Sequence, residues 1–132
     1  MLHFLRRLFR RRVNSAAAAD LFRADAGRLR EAFRLAAAAT GKPRGLAWAA
    51  VEPSGEPVFA EAGGELVALA PVVVRFEPVP GSDMEDVPAA REPRPAVAVF
   101  TFDGSAWTTA GRAVFNLTAE QVAARVGHSL RE

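Results

Sequence analysis

The sequence predicts an α+β fold: a long N-terminal helix packed on an antiparallel sheet of four or five strands, with a short C-terminal helix. Three observations carry this. Residues 16–39 repeat their apolar side chains at helical spacing. Residues 65–77 and 96–117 instead alternate or run apolar, as strands do. Gly63-Gly64 and Asp103-Gly104-Ser105 punctuate these runs where hairpins would turn.

The helix opens after Asn14 or Ser15, either of which can cap an N-terminus, and runs from Ala16 to about Ala39. Phe22, Ala26, Leu29, Phe33 and Ala36/Ala37 line one face, while Asp20, Arg23, Arg30, Glu31 and Arg34 lie opposite. Thr40-Gly41 stops it, because Gly tolerates the left-handed conformation that closes a helix, and Pro43 follows. Gly45 to Val51 reads as a strand, Glu52-Pro53-Ser54-Gly55 as a turn, and Val58 to Ala62 as a second strand. After Gly63-Gly64 comes a long strand, Glu65 to Glu77, with a bend expected at Pro71, which cannot donate to a ladder. One parity of that strand (Leu66, Ala68, Ala70, Val72, Val74, Phe76) is apolar throughout, and the other is apolar only in the middle. A second hairpin joins Ala96–Phe102 to a return strand, Ala106–Leu117. Thr118-Ala119-Glu120-Gln121 has capping-box spacing and opens a helix reaching about Val126.

Large residues (Phe76, Phe100, Trp107, Phe115) mix with small ones (Ala68, Ala70, Gly111, Ala113) on the apolar parity, and the helix offers Ala beside Phe22 and Phe33. Small facing large lets a helix lie close on a sheet. The outline resembles cystatin-like and NTF2-like folds in element order alone. Residues 78–95 form a long connection with five Pro and four acids, few large apolar groups, and an expectation of mobility. The domain reading is therefore a basic arm over residues 1–13 and a single α+β domain over 14–132 with a Pro-rich acidic loop at 78–95.

Composition narrows the class. Of 132 residues, half are hydrophobic, and 28 of those are Ala, which adds little core area. The remaining Val, Leu, Phe, Trp and Met suffice for one core, and whole-chain disorder is excluded by moderate charge and abundant apolar residues. Zero Cys excludes disulfides, thiolate catalysis and Cys-bound zinc. The longest apolar run, Leu66 to Val74, has nine residues, against the ~20 that span a bilayer. Sixteen Arg to one Lys, with no Ile or Tyr, reads as the codon bias of a GC-rich, bacterial genome, so only the placement of Arg informs function.

That placement is uneven. Residues 1–13 hold five Arg and no acid, whereas residues 14–132 carry a net −3. Leu5, Leu8 and Phe9 form an apolar centre flanked by Arg6, Arg7, Arg10 and Arg11, an amphipathic pattern suited to an anionic membrane surface or a groove on a protein partner. Nucleic acid is the weaker reading, because the body is net acidic and shows no aromatic-studded basic face. The Arg interleave with apolar residues, which is unlike a secretory signal; the Arg-rich, acid-free pattern resembles a mitochondrial transit peptide, a reading that lapses for a bacterial chain.

Other candidates are thinner. Ser82-Asp83-Met84-Glu85-Asp86 gathers three carboxylates without EF-hand spacing and reads as a solvated acidic loop. His3 and His128 have no partners at catalytic or ligating spacing, and Asp103 and Thr118 have turn and cap roles already. A face away from the helix would collect Glu61, Arg75, Glu77, Arg112, Thr108 and Asn116; if concave, Arg75 and Arg112 could bind a carboxylate or phosphate with Glu77 as a further candidate ligand-binding residue, the alternative being cross-strand ion pairing of Arg beside Glu. The sequence thus points first to a non-enzymatic interaction or accessory domain, cytoplasmic and tethered through the arm to a protein partner or a membrane. A ligand-binding or catalytic domain using Arg75 and Arg112 comes second, and polyanion binding through the arm third. No catalytic residue, metal ligand or cofactor is assigned.

Overall fold

The structure, a computed structural model, describes residues 15–131, with side chains described to residue 126. It is an α+β fold with N-terminal helices on one face of a six-stranded antiparallel sheet and a C-terminal helix on the other. The arm residues Leu5, Arg6, Arg7, Leu8, Phe9, Arg10 and Arg11 lie outside the described residues, as does His3.

The N-terminal helix is kinked rather than straight. A first segment, α1 (15–24), gives way at Asp25 (φ −101°, ψ 11°) to α2 (Ala26–Ala39). The backbone ladder continues across the kink, with Asp25 N–H donating to Leu21 (3.0 Å) and Leu29 N–H to Asp25 (2.9 Å). Asp25 and Gly27 are weak helix formers, so this is where the axis can bend at small cost. Ala18, Phe22, Leu29, Phe33 and Ala37 are the buried stripe. The helix ends as expected: Thr40 and Gly41 donate back to Ala37 and Ala38, and Gly41 takes φ +71°.

Six strands occupy four rows. The central row is β3 (Glu65–Pro78), and β4 (Arg94–Phe102) pairs along one of its edges. The opposite edge is shared by β1 (Leu46–Pro53), which pairs with residues 72–78, and β2 (Val58–Ala62), which pairs with residues 65–69. Pro71 falls between them. Its carbonyl accepts from Ser54 N–H (3.1 Å) on that side, so its missing N–H interrupts no ladder. Gly63 and Gly64 both have positive φ (59° and 83°), the two-residue turn that suits the strand twist.

The outer row along β4 differs from the sequence expectation. The return strand 106–117 is two pieces, β5 (Trp107–Thr108) and β6 (Ala113–Phe115). Between them the chain bulges, with Thr109 Oγ1 donating to Val99 C=O (2.9 Å) and Val99 N–H donating to Arg112 C=O (3.0 Å). The cause is the helix. A Cβ on Gly111 would sit 2.3 Å from Ala37 N and 2.6 Å from Ala36 C, so the strand lies directly against the end of α2.

The apolar parity faces α1 and α2. Phe22 makes edge-on contacts with Phe59, Phe100 and Trp107 at 5.1–5.7 Å between centroids, and Phe33 meets Trp48 and Phe100 at 5.9 Å. The tryptophan N–H groups are satisfied by carbonyls, Trp107 by Ala18 (2.7 Å) and Trp48 by Lys42 (2.9 Å). Arg34 ties α2 to β1 by donating to Trp48 C=O (3.0 Å) and also pairs with Glu31, which holds the Glu31 carboxyl below its usual range.

The connection after β3 carries more structure than its composition suggests. Val79 N–H and Ser82 Oγ both donate to Gly45 C=O, a 3-10 turn spans Pro88–Arg91, and Ala90 is fully buried. Glu85 accepts from Gly81 N–H (2.8 Å). Asp103 closes the second hairpin by accepting from Ser105 N–H and Ala106 N–H (2.8 Å each) and from Ser105 Oγ (3.0 Å). The backbone donors at Ser105 and Ala106, with the Ser105 hydroxyl, lower the Asp103 pKa. Folding therefore favours its carboxylate. That contribution is complete above the usual value of 3.8 and is lost as pH falls through the depressed folded value. Carboxyl-carbon NMR titration should place the Asp103 midpoint below 3.8, and a midpoint at or above it would contradict the turn geometry.

Candidate functional site

The far face of the sheet is partly covered. The third helix, α3 (Ala119–Arg131), starts with the capping box expected from sequence: Gln121 N–H donates to Thr118 Oγ1 (3.1 Å), and Thr118 N–H to Gln121 Oε1 (2.8 Å). Ala119, Val122, Ala123 and Val126 follow at i, i+3, i+4, i+7 and pack on Val67, Leu69, Val97, Val99 and the far-face residues of β2. The helix reaches Arg131, beyond the expected end near Val126.

Beside α3 the sheet leaves an open groove of about 470 Å³. Ala62 and Gly63 come from the first hairpin, Val114 and Leu117 from β6 and its exit, and Val122 and Val126 from α3. Among the described residues two guanidinium groups also line it: Arg112, from the bulge pinned to β4, and Arg125, from the exposed side of α3. Val114, Leu117 and Val126 are only half-buried, so apolar surface stands open to solvent next to two cations.

The sequence-predicted site residues do not converge. Arg112 lines this groove; Arg75 and Glu77 do not. Arg75 belongs to the other half of β3, facing Ala50 of β1, and pairs with Glu52 at 3.5 Å. Arg112 lies beside Val99, which faces Leu69. Leu69 is six residues from Arg75, roughly 20 Å along an extended strand. Glu77 is exposed opposite Ala47. Glu61 faces Leu66 and so sits on the α1 side, not the far face as expected, because directly opposed residues share a face. Thr108 lies opposite Thr101 on the far face, and Asn116 takes φ +68° at the exit from β6. A smaller cavity of about 210 Å³ sits where β1 gives way to β2, lined by Phe22, Arg23, Arg30, Pro53, Pro57 and Pro71 among others. Its Arg23 lies over the Phe59 ring at 5.4 Å.

Among the described residues no cluster of three or more His, Asp or Glu could hold a metal ion, and no helix is long and apolar enough to cross a membrane. Compared with family models, curated proteins and solved structures, the chain matches none.

The groove was missed in sequence because Arg125 looks like any exposed helical Arg. The available signal was Val67, Leu69, Val97 and Val99: strands apolar on both parities are covered on both faces.

Proposed function

We propose that the protein is a non-enzymatic interaction or accessory domain, held through residues 1–13 at an anionic membrane surface or on a protein partner, on the cytoplasmic side. The observation that carries this reading is the division of labour along the chain. The two buried clusters run from Ala18 to Val122, and no buried side-chain polar atom among the described residues lacks a partner. The described residues thus have a well-satisfied core of their own, while the net +5 of residues 1–13 sits on a chain whose remainder is net −3. An apolar centre flanked by Arg suits the acyl boundary of a bilayer, and each Arg near an anionic surface contributes about 1 kcal/mol.

Liposome co-sedimentation tests this. Binding should rise with anionic lipid content and fall when residues 1–13 are removed. The double change Leu5→Glu with Phe9→Glu should abolish it at any ionic strength, whereas salt should only weaken the native arm. Arg→Ala changes that hurt more than the double change, with nucleic acid as the ligand, would instead identify phosphate contacts. Binding to a protein in pull-down, lost with the arm and independent of lipid, selects the partner form of the proposal. No binding to liposomes, nucleic acid or protein would overturn it.

A further inference from the structure

We propose that the cavity beside the kink of the N-terminal helices binds a free α-amino acid with an aliphatic side chain, its carboxylate at Arg30, its ammonium at Glu56 and its side chain between Ala26 and Ala70. The cavity follows from the sheet topology. β1 pairs with residues 72–78 of β3 and β2 with residues 65–69, so Ala70 and Pro71 face no strand on that edge. The link between β1 and β2 is held at its start by Ser54 N–H donating to Pro71 C=O (3.1 Å). Over this stretch α2 supplies Ala26 and β3 supplies Ala70, and two methyl groups do not fill the space between a helix and a sheet. What remains is about 210 Å³, floored by the buried Phe22 and Val72. That falls short of the ~300–1,000 Å³ of drug-sized sites and selects a ligand of amino-acid size.

Charge selects the head group. Arg30 is half-buried and folds back along α2, with its Nη2 4.0 Å from the point that a Cβ on Gly27 would occupy. It lines the cavity from the helix, and Glu56 lines it from the link between β1 and β2. On the same helix Arg28 pairs with Asp25 and Arg34 with Glu31, whereas no ion pair or hydrogen bond among the described residues engages the side chain of Arg30 or Glu56. Arg23, the other cation in the lining, lies over the Phe59 ring. A simple anion would suit Arg30 and be opposed by Glu56, and a simple cation would meet the reverse. A zwitterion suits both, because the guanidinium fork matches a carboxylate and an ammonium donates to Glu56. Pro53, Pro57 and Pro71 also line the cavity, and their fixed φ limits the ordering cost of binding.

Titration of the full chain with L-leucine at neutral pH, followed by amide NMR, tests the assignment. The largest shifts should fall at Phe22, Ala26, Gly55 and Ala70. Glycine lacks the side chain, 4-methylpentanoate lacks the ammonium and 3-methylbutylamine lacks the carboxylate; each should bind about tenfold more weakly or worse. Glu56→Gln should weaken leucine by a similar factor without weakening 4-methylpentanoate. Ala26→Leu fills the cavity from a half-exposed helix position that a good helix former tolerates, and it should abolish the shifts. Equal affinity for leucine and any of the three analogues, shifts centred instead on Val114 and Leu117, undiminished binding to the Ala26→Leu chain, or no binding of leucine would each overturn the proposal. Should Ala26→Leu not fold, the analogue series on the native chain decides the matter.

Discussion

Replacing Gly111 by Ala should lower the unfolding free energy by about 2–5 kcal/mol, the sum of a left-handed backbone penalty and an overpacking penalty. Gly111 has φ +79°, and the added Cβ would sit 2.3 Å from Ala37 N, 2.6 Å from Ala36 C and 2.8 Å from Ala37 Cα. These are backbone atoms of α2, so no side chain can swing aside; either the helix end or the bulge must move. Gly41→Ala separates the two causes. Gly41 has nearly the same φ, +71°, with nothing within 4 Å of the added Cβ. It should cost only the backbone part, about 1–2 kcal/mol. Equal midpoints for the two variants in denaturant unfolding would show that α2 and the bulge are not in contact.

Phe33→Ala should cost about 3–5 kcal/mol, as expected for a fully buried aromatic residue. Phe33 is 0% exposed and sits between Trp48 and Phe100, so it links α2 to both β1 and β4. Its loss would leave a void bounded by rings that are themselves fixed by Trp48 N–H to Lys42 and by the strand ladders, so collapse around it would be limited. Leu35, two residues on and 55% exposed, is the internal comparison: Leu35→Ala should stay within about 0.5 kcal/mol. A Phe33→Ala midpoint within error of the native chain would rule out the helix-on-sheet packing.

Local chemistry explains which parts of this fold were legible in the sequence. Thr40-Gly41, Gly63-Gly64, Asp103-Gly104-Ser105 and Thr118–Gln121 each act through bonds to residues within a few positions, and each appears where the sequence puts it. The parity of Leu66 to Phe76 also holds, because one face of β3 is buried along its whole length under α1 and α2. What the sequence hides depends on distant neighbours. The split of the return strand at Gly111 is imposed by the end of α2, more than 70 residues earlier in the chain. The sharing of one edge of β3 by β1 and β2 follows from the register and is invisible in either strand alone. Ala90 looks like filler in a Pro-rich loop, yet it is fully buried.

The candidate site shows the same limit. Arg75 and Arg112 have a plausible parity for a common face, but parity fixes the side of a sheet and not the position along it. Arg75 ends beside Glu52, an exposed pair of small energetic weight, while Arg112 joins Arg125, a residue from a different element. Glu61 was misassigned for a related reason: a strand's faces are set by its pairing, and Leu66, its partner, belongs to the core side.

If residues 1–13 engage an external surface as proposed, the core of the described residues should stand without them. Amide hydrogen exchange on the native chain and on a chain lacking residues 1–13 tests it most directly. Protection across α2, the centre of β3 and β4 (Val67 to Val74 and Val97 to Phe100) should be unchanged by the deletion, within the error of the opening free energies. Loss of protection along Leu29 to Ala37 and the strands beneath it would contradict the proposal, because the arm would then be part of that core.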